Sequence, residues 1–234
     1  MKDFKKGLRL GVPIGLGYLS VSFAFGILAV SKGFKWWQAL IISMTTVTSA
    51  GQLAALDIML SPARYVEMLL SQLTINIRYS FMSVSLSQKV SAEFKGIKRW
   101  ILGFFMTDEI FAVASTQKKV GARLFLGLSV MPYLGWTTGT LLGSIMGNVL
   151  PESVMSALNL AIYGMFIAII IPDAKRSLKL CAVISVSVAL SLAFYYLPFL
   201  AKVSSGIAVC ICAITAALAG ALFFPVKEAC GDDR

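Results

Sequence analysis

Apolar runs long enough to cross a bilayer recur along this chain: Leu8 to Val30, Gln38 to Leu60, Val66 to Leu86, Leu178 to Leu197 and Ser204 to Phe224. About 18 apolar residues wound as a helix match the hydrocarbon thickness of a membrane. In that medium every backbone N–H and C=O must be satisfied internally, so only helices or a closed barrel can span it. A barrel alternates apolar and polar residues along each strand, and no such alternation is present. Composition agrees, with 58% hydrophobic residues, a mean hydropathy of +0.82 and 14% charged residues, where a soluble domain carries about 25%. The expected fold is therefore all-α. It is a polytopic transmembrane helical bundle of roughly 7–8 hydrophobic segments, a single membrane domain over residues 1–234.

The net charge of +10 would suggest nucleic acid in a soluble chain. Here the basic residues cluster between apolar runs, as in Lys2, Lys5, Lys6 and Arg9, then Lys118, Lys119 and Arg123. That is the pattern of the positive-inside rule; the partner it implies is a lipid bilayer, not nucleic acid. No small-residue cleavage site closes the first run, so the start reads as a span rather than a removable leader. With no histidine in the chain, Ser–His and Cys–His catalysis are excluded, and any proton relay must use carboxylates. Cys181, Cys210 and Cys212 lie in apolar runs, and the last two point to different helix faces. They read as small hydrophobes, not a zinc site, and no metal or cofactor is expected.

Within this frame, polar residues at mid-run are the anomalies. The first run carries Gly7, Gly11 and Gly15, whose four-residue spacing suits close helix packing in lipid, with Pro13 and Gly17 as candidates for a kink or break. Trp36 and Trp37 suit a membrane–water interface. The second run is polar at its centre, from Ser43 through Thr45, Thr46, Thr48, Ser49 and Gly51 to Gln52. On a regular helix Thr45, Thr48 and Gln52 would share one face; so many hydroxyl and amide groups imply that the stretch lines a cavity or is partly unwound. Asp57 reads as a helix-end residue.

The third run places Gln72, Asn76, Tyr79 and Ser83 on one helical stripe and Arg78 near its middle. A charge at that depth costs about 2.5–3.5 kcal/mol on insertion scales, so it needs a partner or a water-filled cavity. Arg78 stands about 160° from Asn76 on a regular helix: either it faces a different neighbour, as a counter-ion to acids, or the helix is broken near Asn76. The short fourth run, Trp100 to Ser115, holds Thr107, Asp108 and Glu109. Acids in such a place are natural proton carriers or partners for an arginine; alternatively the segment lies along the interface with its acids solvated.

A weak repeat relates Pro13, Gly17, Gly26 and Gln38-Ala39-Leu40 to Pro132, Gly135, Gly143 and Ser156-Ala157-Leu158, suggesting halves 1–117 and 118–234. Gly135, Gly139, Gly143 and Gly147 form a second small-residue ridge. The second half carries few polar groups in its runs, chiefly Thr137, Thr138, Thr140, Asn159 and Tyr163, so the chemistry lies in the first half. An eight-span topology with both ends inside satisfies the charge rule except for the basic loop Lys89 to Arg99, which it leaves outside. A broken or re-entrant segment in the first half would remove that conflict.

Together these features describe a transport path. Arg78 can hold a carboxylate by paired hydrogen bonds, as can helix-end amides exposed at a break between Thr48 and Gln52. Thr45, Thr48, Ser49, Gly51, Gln52, Asn76 and Tyr79 are the candidate substrate-binding residues; Arg78, Asp108 and Glu109 are the candidates for charge and proton coupling. An amino acid with an apolar side chain suits such a site. Neither a nucleotide-binding motif nor a Gly-x-Ser-x-Gly elbow is present, so an ion gradient is the expected driving force and an enzyme is not expected. The alternative is a non-transporting assembly subunit whose glycine ridges dock a partner.

The stretch Gly11-Val12-Pro13-Ile14-Gly15-Leu16-Gly17-Tyr18 with Phe23-Ala24-Phe25-Gly26, the segment Ser49-Ala50-Gly51-Gln52-Leu53, and the motifs Asn76-Ile77-Arg78-Tyr79 and Thr107-Asp108-Glu109 together resemble the AzlC family. Its members are the YgaZ-type large subunits of bacterial branched-chain amino acid exporters. Tyr79 stands where that family's motif has histidine. The resemblance implies a multi-pass protein of the bacterial cytoplasmic membrane exporting leucine, isoleucine, valine or related amino acids. It also implies a separately encoded small membrane subunit of the AzlD type.

Overall fold

The computed structural model describes residues 2–61, 64–147, 153, 160, 164, 167, 170–171, 174–175, 177–197, 199–200 and 203–224. Asn159, Tyr163 and the Ser156-Ala157-Leu158 of the repeat lie outside them. Among the described residues the regular structure is helical: α1 Lys2–Ser31, α2 Trp36–Thr45, α3 Ser49–Met59, α4 Tyr65–Ser87, α5 Ile97–Gly103, α6 Asp108–Ser115, α7 Ala122–Met146, α8 Leu178–Tyr196 and α9 Ser205–Phe223. Three of these, α1, α8 and most of α9, are both long and apolar enough to cross a membrane. At 23 and 25 residues, α4 and α7 also have the length for a span of about 30 Å. This is a multi-pass helical membrane protein. Its contacts divide it into two compact units, one of residues 1–56 and 75–165, the other of 57–74 and 166–234.

The first unit is built on α1 and α7, which lie side by side and parallel. Gly7 meets Leu124, Gly11 meets Leu128, Gly15 meets Met131, and Gly26 meets Thr140 and Ser144. Glycine is required here by distance: a Cβ at Gly15 would stand 2.6 Å from the Met131 carbonyl oxygen. Gly127, Gly135, Gly139 and Gly143 of α7 face the α1 backbone in the same way, so the two ridges pack on each other. Pro13 does not end α1, which continues through it to Ser31. It is exposed while Gly11 and Gly15 on either side are buried against α7, so packing carries the helix past its missing hydrogen bond.

Two short helix pairs interrupt the membrane from opposite sides. After the turn at Gly33 (φ 96°), α2 descends, stops at Thr45, and is followed by α3. Leu56 of α3 packs with Ala39 of α2 and with Phe25 and Ala29 near the end of α1, so α3 returns to the face from which α2 came. The pair is a re-entrant hairpin, and α2, at 10 residues, reaches about 15 Å, half the hydrocarbon thickness. The second pair enters from the other face. Val90 bridges to Val120, Lys89 donates to the Ser115 carbonyl at 2.8 Å, and Lys6 donates to Gln117 at 2.7 Å. Thus the loop before α5, the loop after α6 and the start of α1 share one side. Between the two loops α5 and α6 dip inward, held by a cluster of Leu86, Leu102, Ile110, Ala114, Phe125 and Leu128.

This double re-entry places the basic loop Lys89 to Arg99 with Lys6, Lys118 and Lys119, the cytoplasmic side by the positive-inside rule. Among the described residues, broken segments in the first half stand in place of regular spans, which removes the conflict over that loop.

In the second unit α8 and α9 pack together, with Gly220 near the end of α9 against Val183 near the start of α8, an antiparallel pair. Glu67 is buried and accepts a hydrogen bond from the Gly206 amide at 3.0 Å, satisfying a donor in the first turn of α9. Arg64 lies 3.4 Å from its other oxygen.

Candidate functional site

The tips of the two hairpins meet at mid-membrane. Asn76 is the central residue of α4 (Tyr65–Ser87), and Tyr133 lies close to the middle of α7 (Ala122–Met146). Thr48, in the break between α2 and α3, donates to the Asn76 side-chain oxygen at 2.7 Å. Tyr133 donates to the Met44 carbonyl at 3.1 Å, and its ring takes edge-to-face contacts with Phe104 and Phe105 in the break between α5 and α6. A single tyrosine therefore touches both tips.

The first break has a local cause. Thr46 is extended (φ −135°, ψ 128°), and the Thr45 and Thr46 hydroxyls turn back onto the Ile41 and Ile42 carbonyls at 2.7 and 2.6 Å, adding second hydrogen bonds in the last turn of α2, a back-bonding that weakens and bends a helix. The break separates residues that a regular helix would align. Thr45, Thr48 and Gln52 do not share a face, because a non-helical stretch intervenes. Thr45 and Thr48 open on a cavity of about 390 Å³, walled also by Asn76 and Tyr79 of α4 and by Phe104 and Met106 of the second tip. Gln52, only 2% exposed, instead donates to Ser43 at 3.1 Å, and Ser43 shares a 2.7 Å hydrogen bond with Thr140 of α7. That chain ties the hairpin to α7. Ser49 and Gly51 belong to the first turn of α3 and do not line the cavity.

α4 is unbroken through Asn76, so of the two alternatives for Arg78 the counter-ion geometry is observed. Asn76 faces the first tip; Arg78, on another side of the same helix, pairs with Asp108 at 2.7 Å. Its other amino group donates to the Tyr79 hydroxyl at 3.2 Å, and the guanidinium lies 5.0 Å from the centre of the Tyr79 ring. Thr107 caps α6, its hydroxyl accepting from the Ile110 amide. Asp108 and Glu109 occupy the first turn, where the helix dipole favours negative charge. The two acids diverge: Asp108 turns to α4, whereas Glu109 accepts a hydrogen bond from Tyr18 of α1. Tyr18 packs edge-to-face on the buried Trp136 of α7.

Sequence reasoning did not single out Tyr18, Tyr133, Trp136 or the Ser43–Thr140 link. Tyr18 closes the glycine-rich opening stretch and sits mid-way along an apolar run, a polar signal that its motif carried. Tyr133 and Trp136 are aromatic residues in an apolar run and carry no such signal.

Comparison with known proteins bears on the whole constellation. The family model described as AzlC protein matches residues 13–150, a range that contains both hairpins and every charged residue of the site. An uncharacterized membrane protein of Archaeoglobus fulgidus is 35% identical over 94% of this chain and 93% of its own length. The inner membrane protein YgaZ of Escherichia coli is 23% identical over 76% of each chain. The branched-chain amino acid transport protein AzlC of Bacillus subtilis is 25% identical over 75% of this chain and 70% of its own. No solved structure matches significantly.

Proposed function

The chain belongs to the AzlC family, and from that premise we propose that it is a transporter subunit exporting branched-chain or other hydrophobic amino acids. Its substrate site lies at the meeting of the two hairpin tips. The observation that carries this reading is the convergence of two broken helices, entering from opposite faces, on one mid-membrane cavity beside a paired arginine. Half-helix N-termini suit an anionic group, and ends of unwound segments supply carbonyls for a cation; an amino acid offers both. About 390 Å³ lies within the range of small-molecule sites.

The proton gradient is the driving force in this reading, and the two acids divide the work. Arg78 neutralises Asp108; among the described residues Glu109 has a hydroxyl partner, Tyr18, but no cation. Glu109 is therefore the proton carrier, and the Arg78–Asp108 pair opens when the substrate carboxylate competes for the guanidinium. In a bilayer, that half-exposed pair needs water or protein beside it, which accords with a small AzlD-type subunit as partner. The assembly-subunit alternative left the glycine ridges free for docking, whereas here they are occupied by each other.

The test uses vesicles holding the chain with its small partner subunit and loaded with labelled leucine. Wild-type efflux should follow an imposed proton gradient. Glu109→Gln should abolish that dependence while leucine–leucine exchange continues, and Arg78→Gln should abolish both. Proton-driven efflux undiminished in both variants would defeat the proposal.

A further inference from the structure

A second cavity, of about 430 Å³, lies between the tip site and the cytoplasmic face, under α5. It shares Ser83, Gly103 and Met106 with the tip cavity, so the two are neighbours separated by the turn at the end of α5. Its floor is apolar: Leu86 and Phe125 are buried, and Phe94 stacks edge-to-face on Phe125 with ring centres 5.7 Å apart. Arg99 is the charged residue of its wall. A polar rail joins it to the tip site. Asn76, Ser80, Ser83 and Ser87 follow one another at helical spacing on α4; the first three line the tip cavity, and the last two line this one.

We propose that this cavity is a second, inner binding site for the transported hydrophobic amino acid, with its side chain on Leu86, Phe94 and Phe125 and its carboxylate on Arg99. The inference rests on the transport reading above and adds a place where substrate waits on the cytoplasmic side. Three features select this occupant. The floor is apolar and Arg99 complements a carboxylate. The rail of hydroxyls continues to the tip site, which suits a zwitterion moving between the two. A lipid acyl chain would need the floor alone.

Equilibrium binding of labelled leucine to the purified complex in lipid nanodiscs decides the matter. The expected stoichiometry is two leucines per chain. Leu86→Trp, filling the floor, should leave one, still displaceable by valine. Arg99→Gln, on an exposed residue that does not hold the fold, should weaken one of the two sites about tenfold, as loss of a charge-assisted hydrogen bond requires. One leucine per chain in wild type and Leu86→Trp alike, with transport intact, would overturn the inner site and leave the transport reading standing. Two leucines per chain with Arg99→Gln binding both as tightly as wild type would also overturn the assignment. Absence of both leucine binding and transport in wild type would instead defeat the reading on which the site rests.

Discussion

Arg78→Gln removes the cation from a mid-membrane ion pair and leaves Asp108 alone. The pair is closed at 2.7 Å, with its side chains 45% and 42% exposed. At a charge separation of about 4 Å and an effective dielectric constant of about 20, Coulomb attraction is roughly 4 kcal/mol. Screening at nearly half-exposed groups lowers the net to about 1.5–3 kcal/mol. The two single changes should not be equal. Asp108→Asn leaves Arg78 its hydrogen bond and ring contact with Tyr79, worth about 0.5–1 kcal/mol, whereas Arg78→Gln leaves an acid with no other cation beside it among the described residues. The double variant carries neither charge. A double-mutant cycle on reversible unfolding in mixed micelles, followed by tryptophan fluorescence, should give a coupling energy of about 2 kcal/mol, with Arg78→Gln the costlier single change. Additivity within about 0.5 kcal/mol would refute the claim that the two residues act as a unit.

The parallel contact of α1 and α7 predicts that Gly15→Val destabilises by more than about 2 kcal/mol, since its Cβ would overlap the Met131 carbonyl and neither backbone can yield alone. Gly17→Ala in the same helix, where open space surrounds the position, should be neutral within about 0.5 kcal/mol by thermal unfolding; equal losses at both would contradict the packing. The double re-entry predicts that single cysteines replacing Lys89 and Lys118, in a background without the native cysteines, react with a membrane-impermeant thiol reagent from the same side. A cysteine at Lys32 should react only from the opposite side, and labelling of positions 89 and 118 from different faces would rule out the second hairpin.

Much of this was legible in the chain itself. Apolar runs without strand alternation dictate helices in a membrane, because lipid offers no partner for an open backbone. Hydroxyls crowded between Ser43 and Gln52 mark a break, because such side chains bond back onto helix carbonyls and weaken the helix. A lone arginine and two acids at mid-run announce one another, because an unpaired charge at that depth is costly. Direction and partnership were decided only by packing. Whether a short apolar segment crosses the membrane or turns back depends on which helix receives its far end, and Leu56 returning to Ala39 and Phe25 is a contact that no local pattern encodes. Likewise adjacent acids read alike in sequence. The first turn of α6 sends Asp108 to α4 and Glu109 to α1, and that rotation about one helix axis makes one acid the mate of an arginine and the other the mate of a tyrosine.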